Sequence, residues 1–225
     1  MRRTRQAFDE QLQQLEQRLL DMGKFVRQML EKAVRALAEQ DLELAAEVIR
    51  EDDIADEMDI EIEQECMRLL ALQQPMSRDL RMIGTAMKVI ADLERIGDYS
   101  VDIARTVRTL AGQPYFKPLE DIPRMCRLTC AMVDNALSAF VERDIELAHR
   151  VCAEDTKIDE LWRSLRDELM RHMRREPGVV TQATHFLLVA RYLERIADHA
   201  TNVAERVVYM ETGVLQQIAA SHRST

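Results

Sequence analysis

Two stretches of this chain place carboxylates where a helix would put them side by side. "DLERIGD" occupies 92–98 and "YLERIAD" occupies 192–198, one hundred residues on. Each carries a Glu and an Asp four residues apart: Glu94 with Asp98, and Glu194 with Asp198. On a helix an i, i+4 pair shares one face. Two carboxylates held that way can share a proton or offer oxygens to a hard cation. A single acidic pair is ordinarily no more than a solvated face, so the chemistry turns on what stands opposite it.

A second set supplies that partner. Asp52 and Asp56 form one pair and Asp155 and Asp159 another. Segment 33–57, aligned on 136–160 at an offset of 103, matches at twelve of twenty-five positions, among them Asp41/Asp144, Asp52/Asp155 and Asp56/Asp159. The chain is therefore an internal duplication. Its helical periods place the pairs on apolar seams. One seam runs Leu80, Ile83, Met87, Ile90, Glu94, Gly97, Val101, Ala104, and its counterpart runs Val180, Ala183, Leu187, Ala190, Glu194, Ala197, Thr201, Ala204. In both, the Glu falls where an apolar knob belongs. A further seam runs Ala45, Val48, Asp52, Ala55, Asp59, Ile62, Cys66, Leu69.

Helices joined by a short turn run antiparallel, so residues equidistant from the turn lie at equal height. Asp52 with Asp98, and Asp56 with Glu94, are both centred on Pro75. Asp155 with Asp198, and Asp159 with Glu194, are both centred beside Pro177. Four carboxylates per unit then converge on one space and require compensation by protons, arginines or cations. Oxygen donors of this kind select hard ions such as Mg²⁺, Mn²⁺ or iron. Asp102 extends the first acidic stripe, but its counterpart is Asn202. His199 reads as a surface residue. Glu146-x-x-His149 resembles half of a di-iron motif, yet the first unit has Ala46 in place of the His.

The elements that must carry these residues are helices. Gly and Pro are scarce (6 and 5 in 225 residues), aromatics make up 4%, and charged residues 32%. The first helix shows a sustained seam, Phe8, Leu12, Leu15, Leu19, Met22, Val26, Met29, Ala33. It packs inside the unit or meets a partner helix. Further helices are expected at 42–73, from Ser77 as N-cap to about 110, and at 120–142, 144–175 and 178–211. "GQPYFKP" at 112–118 reads as a linker. The expected architecture is all-α: two tandem homologous three-helix bundles, 1–111 and 119–213, with a frayed tail at 214–225. The basic start, "MRRTRQ", reads as a solvated tip.

Net charge −9 argues against nucleic-acid binding. Cys66, Cys126, Cys130 and Cys152 lack metal spacing and read as small core residues of a reduced, cytoplasmic protein. No apolar run is long enough to span a bilayer, so membrane association would be peripheral. Three readings follow: a metal-binding module, a carboxylate-bridged metalloenzyme, or a bundle that binds no metal.

The doubled acidic motif, with "DLERIGD", "YLERIAD", the stretch at 155–168 and "QPMSRDLRMI" at 74–83, resembles the PhoU family of phosphate-uptake and phosphate-signalling regulators over about residues 5–213. That resemblance implies a homodimeric adaptor and not an enzyme, linking a phosphate ABC transporter ATPase to a sensor histidine kinase and restraining the phosphate-starvation response. It also implies metal ions, with iron, manganese, magnesium or zinc as candidates, in multinuclear sites. The implied ligands are Asp52, Asp56, Glu94 and Asp98, with Asp102 as an addition, and Asp155, Asp159, Glu194 and Asp198.

Overall fold

The structure, a computed structural model, describes residues 2–219, with side chains from Gln6 onward. The basic tip expected at residues 1–6 thus lies almost wholly outside the described side chains. Six long helices follow in order: α1 (Arg2–Glu39), α2 (Leu42–Gln73), α3 (Ser77–Leu110), α4 (Asp121–Glu142), α5 (Ile145–Arg175) and α6 (Val180–Thr212). A short 3₁₀ turn, Pro177–Val179, precedes α6. No strand occurs among the described residues.

The helix boundaries have local causes, and the duplication repeats them. Gln40 and Arg143, at equivalent positions, both turn into the left-handed region (φ 57 and 56) to close α1 and α4. Asp41 and Asp144 then cap the next helices. Asp41 Oδ1 accepts from the Glu43 and Leu44 amides at 2.9 Å, and Asp144 Oδ1 accepts from the Leu147 amide at 2.9 Å. Gly213 ends α6 at φ 76, its amide donating to the Tyr209 carbonyl at 2.7 Å. Ser77, expected as an N-cap, does not act as one. It is the first residue of α3 at φ 48, and the cap position belongs to Met76, whose side chain has no group to offer.

α1, α2 and α3 form one three-helix bundle, and α4, α5 and α6 the other. The bundles join side by side, α3 along α6 and α1 along α4, under one continuous apolar core. The α1 seam is packed inside: Phe8, Leu15, Leu19, Met22, Val26, Met29 and Ala33 are buried. The four cysteines are buried thiols. Because α3 meets α1, α2 and α6, its buried face is wider than the expected seam and is rotated from it. Met82, Val89, Leu93, Ile96 and Ser100 are buried, while Leu80 is exposed.

Polar groups fix the connections. The Tyr115 hydroxyl donates to the Leu37 carbonyl at 2.8 Å. Gln182 of α6 accepts from the Phe116 amide (3.1 Å) and donates to the Pro114 carbonyl (2.9 Å). Arg81 of α3 donates to the Met210 carbonyl at the end of α6 at 2.9 Å, and Arg143 bridges Glu16 and Glu211. The tail expected to be frayed is tied down as far as Ala219. The Ile218 and Ala219 amides donate to Glu205 Oε1 at 2.5 and 3.1 Å, and Ala219 is buried. Residues 220–225 lie outside the described set.

α1 and α4 approach closely at Gly23, where an added Cβ would stand 2.4 Å from Leu137 Cδ1 and 3.2 Å from its Cγ. Gly23→Val is expected to destabilise the fold by about 1–3 kcal/mol through overpacking. Equilibrium urea unfolding measures it, and adding Leu137→Ala should recover part of the loss.

Candidate metal centre

In the first unit α2 presents Asp52 and Asp56, and α3 presents Glu94, Asp98 and Asp102. The charges act on one another across the hairpin in the register set by the Pro75 turn. Burial raises the Asp52 carboxyl above its ordinary range, and the charges of Asp56 and Asp98 push it further, against Arg105. Burial likewise raises Glu94, with Asp98, Asp59 and Asp56 adding to the effect and Arg95 opposing it. Asp59 is raised by burial, then by Glu63 and Asp56. A cleft of about 300 Å³ is lined by Asp52, Asp98, Asp102, Tyr99, Arg95 and Arg105. Asp102 therefore belongs with Asp52 and Asp98. Glu94 sits at the rim of the core and does not replace a core knob, its side chain being 27% exposed.

The second unit is drier. Asp155 is 1% exposed and Glu194 7%. Burial lifts the Glu194 carboxyl to about 7, helped by Asp198 and Asp159 and opposed by Arg191 and Arg195. Its Oε1 pairs with Arg191. Its Oε2 is buried with no hydrogen-bond partner, the Arg195 Nε lying 3.9 Å away. Here the Glu does intrude into the core, as its seam position implies.

Arginines hold the α3 and α6 acids, and Asp159 of α5, along their own helices. Arg95 meets Asp98 at 2.8 Å and Glu94 at 3.4 Å; Arg105 meets Asp102 at 3.1 Å. Arg195 meets Asp198 at 3.3 Å, and Arg163 meets Asp159 at 3.0 Å. Among the described residues, no three His, Cys, Asp or Glu side chains stand together as a ready metal-binding group. The physical reason is mutual repulsion: like charges facing across a hairpin separate toward the nearest guanidinium. The donor set nevertheless fits a cation. It is all carboxylate oxygen, it lies in register, and it leaves Glu194 Oε2 buried without a donor. Oxygen donors suit Mg²⁺, Mn²⁺ or iron better than zinc, whose usual ligands are sulfur and nitrogen. Glu146 and His149 are both exposed.

Periodicity puts Asp59 on the α2 seam without assigning it to the site, and it misses other residues that shape the site altogether. Asp59 joins the first cluster, and at the repeat offset its counterpart is Trp162. The Trp162 ring carries the guanidiniums of Arg166 and Arg191 at 4.9 and 5.2 Å from its centroid. Arg191 itself stands where the first unit has Ala91. The repeat alignment holds this signal, since a charge present in one copy and missing in the other marks a difference between the sites. His199, expected at the surface, instead bonds across the units. Its Nδ1 lies 2.8 Å from Asp92 Oδ1, which also accepts from Asn202 at 3.0 Å. The repeat mirrors that contact as the Tyr99–Tyr192 stack, with centroids 5.6 Å apart. Nothing in single-helix periodicity points to an α3–α6 pairing.

The PhoU domain family matches residues 19–107 and 122–207, each stretch spanning one carboxylate set. The chain belongs to the PhoU family. It is 39% identical over 211 residues to the phosphate-specific transport system accessory protein PhoU homolog of Clostridium acetobutylicum, covering 93% of this chain and 96% of that one. The crystal structure of PhoU from Pseudomonas aeruginosa superposes with a TM-score of 0.88 at 34% identity, covering 92% of this chain and all of that one. The phosphate transport system regulatory protein PhoU from Streptococcus pneumoniae superposes equally well (TM-score 0.88, 34% identity), covering 93% of this chain and 99% of that one. The tandem three-helix architecture is thus the PhoU fold over nearly the whole chain.

Glu194 gives the PhoU scaffold a pH dependence of known sign in metal-free protein. Its folded pKa, about 7, lies above the ordinary 4.5, so the folded chain binds the proton more tightly than the unfolded chain. Its contribution to stability is therefore full below pH 4.5, falls as pH rises to 7, and is flat above. Glu194→Gln should be on the order of 2 kcal/mol more stable than wild type at pH 8 and nearly equal to it at pH 4.5. Urea unfolding in chelator at both pH values reads the difference.

Proposed function

We propose that this chain is a regulator of phosphate transport, a non-enzymatic adaptor whose contacts with protein partners depend on metal held at its doubled carboxylate sites. The observation that carries this reading is the register: in each unit two acidic pairs face one another across a hairpin, and one carboxylate oxygen of Glu194 is buried without a donor. The relatives' names as phosphate-specific transport system accessory proteins support the transport context.

Asp52, Asp56, Glu94, Asp98 and Asp102 would hold ions in the first unit, and Asp155, Asp159, Glu194 and Asp198 in the second. A bound cation supplies the positive charge that the facing carboxylates otherwise draw from arginines. Arg95, Arg105 and Arg195, all exposed, would then be free of their acids and able to meet acidic groups on a partner. The partners in this reading are the transporter's ATPase subunit, a phosphate-responsive sensor histidine kinase, and a second copy of the chain. No described helix is long and apolar enough to cross a membrane, so the transporter would be reached through its ATPase from the cytoplasmic side.

The units should not load alike. Arg191, Trp162 and Asn202 occupy positions that are Ala91, Asp59 and Asp102 in the first unit, so the second site already carries a resident cation and two acids fewer. Elemental analysis after metal-free purification and re-addition of Mn²⁺ or Fe²⁺ should show Glu94→Ala with Asp98→Ala removing the first unit's share. Arg191→Ala should raise the second unit's share. Unchanged metal content in the Glu94/Asp98 variant would rule out the site assignment.

The regulatory reading is tested apart from the metal. Immobilised protein, loaded or chelated, should retain the phosphate transporter ATPase or the sensor kinase from purified mixtures, and loading should change the amount retained. Capture of neither overturns the adaptor role.

A further inference from the structure

A larger cleft, about 700 Å³, lies between the two units and away from the hairpin faces that carry the facing acids. Lys88 and Asp92 of α3 form one wall, Asn202, Glu205 and Arg206 of α6 another, and the tail segment through Gln216 a third. Its acids are occupied from within: Asp92 Oδ1 takes His199 and Asn202, and Glu205 Oε1 takes the Ile218 and Ala219 amides. Its cations are not. Lys88 has no carboxylate within 4.0 Å among the described residues, and neither has Arg206, although acids outnumber bases 40 to 31 in the sequence.

The cleft is also not a by-product of duplication. At the pseudo-equivalent place Lys88 becomes Leu188, Arg206 becomes Thr106, and Glu205 becomes Arg105. The Glu205 latch onto the tail thus occurs on one side only.

We propose that this cleft binds a small organic dianion, a phosphate monoester or a polycarboxylate with a hydrogen-bonding body. Lys88 and Arg206 take its charged head, and Gln216 and the tail contact its body. The volume sets the size class, since clefts of a few hundred to about 1,000 Å³ hold metabolite-sized ligands and far exceed one inorganic oxyanion. Charge-assisted hydrogen bonds from two cations that form no ion pair among the described residues provide the attraction. Asp92 and Glu205 act as positioning residues, holding Asn202 and the tail wall in place.

The test uses chelator-treated full chain, so that carboxylate-bound metal cannot capture anions, and titrates glucose 6-phosphate, citrate and inorganic phosphate by calorimetry. Saturable binding is expected for one of the organic dianions, and which one binds distinguishes ester from polycarboxylate. Lys88→Ala and Arg206→Ala should each weaken it tenfold or more, with melting temperature unchanged. The proposal is overturned if none of the three binds, if both variants bind like wild type, or if inorganic phosphate binds as tightly as the organic dianions. Loss of binding in a chain ended after Ala219 likewise overturns it, because the described walls would then be insufficient.

Discussion

Like charges facing one another across a helical hairpin are the constraint on which this molecule turns. Two antiparallel helices with short turns leave little freedom in register, so acids equidistant from the turn must meet at one height. Where water is thin the cost rises, which is why the carboxyls of Asp52, Glu94 and Glu194 all lie above their ordinary range with burial as the first cause. A fold that kept such acids only for solubility would place them on the outer faces, where many others already stand. Their retention at a packed edge needs a counter-charge, and every arginine on these faces is drawn into supplying one.

The two units supply it differently, and the difference lies at three pairs of equivalent positions, Asp59/Trp162, Ala91/Arg191 and Asp102/Asn202. Asp59 and Ala91 make the first site more acidic and leave its neutralisation to Arg95 and Arg105, both exposed. Trp162 and Arg191 make the second site apolar on one wall and cationic on another. A guanidinium over an indole face is partly shielded from water, which strengthens its pairing with the buried Glu194. Duplication thus produced one scaffold with two electrostatic answers, one guanidinium set over an indole and one pair of guanidiniums exposed to water.

Most of the fold was legible because it rests on local rules. Periodicity marked the six helices to within about two residues at most ends, and Asp41 and Asp144 announced two helix starts by capping chemistry. The hairpin register was legible too, because short turns convert sequence distance into height. What failed to show was everything set between units. The α3 face came out rotated because a helix with three neighbours buries more than one seam. His199 looked exposed because its partner, Asp92, lies on a helix 107 residues away. The tail looked frayed because polar letters do not reveal that Glu205 will accept its amides.

Those same inter-unit contacts give α3 and α6 a role beyond packing. Each helix turns one face toward its own unit's acids and another toward its counterpart. Asp92, two residues before Glu94, grips α6 through His199 and Asn202, while Tyr192, two residues before Glu194, stacks on Tyr99. Neighbouring residues on a helix point about 100° apart, so a position two residues off lies on a different face but moves with the same rigid rod. A change in charge balance at Glu94 or Glu194 that shifts either helix must then disturb a polar clasp on one side and an aromatic one on the other. The hydrogen bonds of the clasp are directional and the stack is not. Relative displacement of α3 and α6 therefore meets stiffer resistance at the Asp92 clasp than at the Tyr99–Tyr192 stack, and the clasp is the contact that also walls the cleft held by the tail.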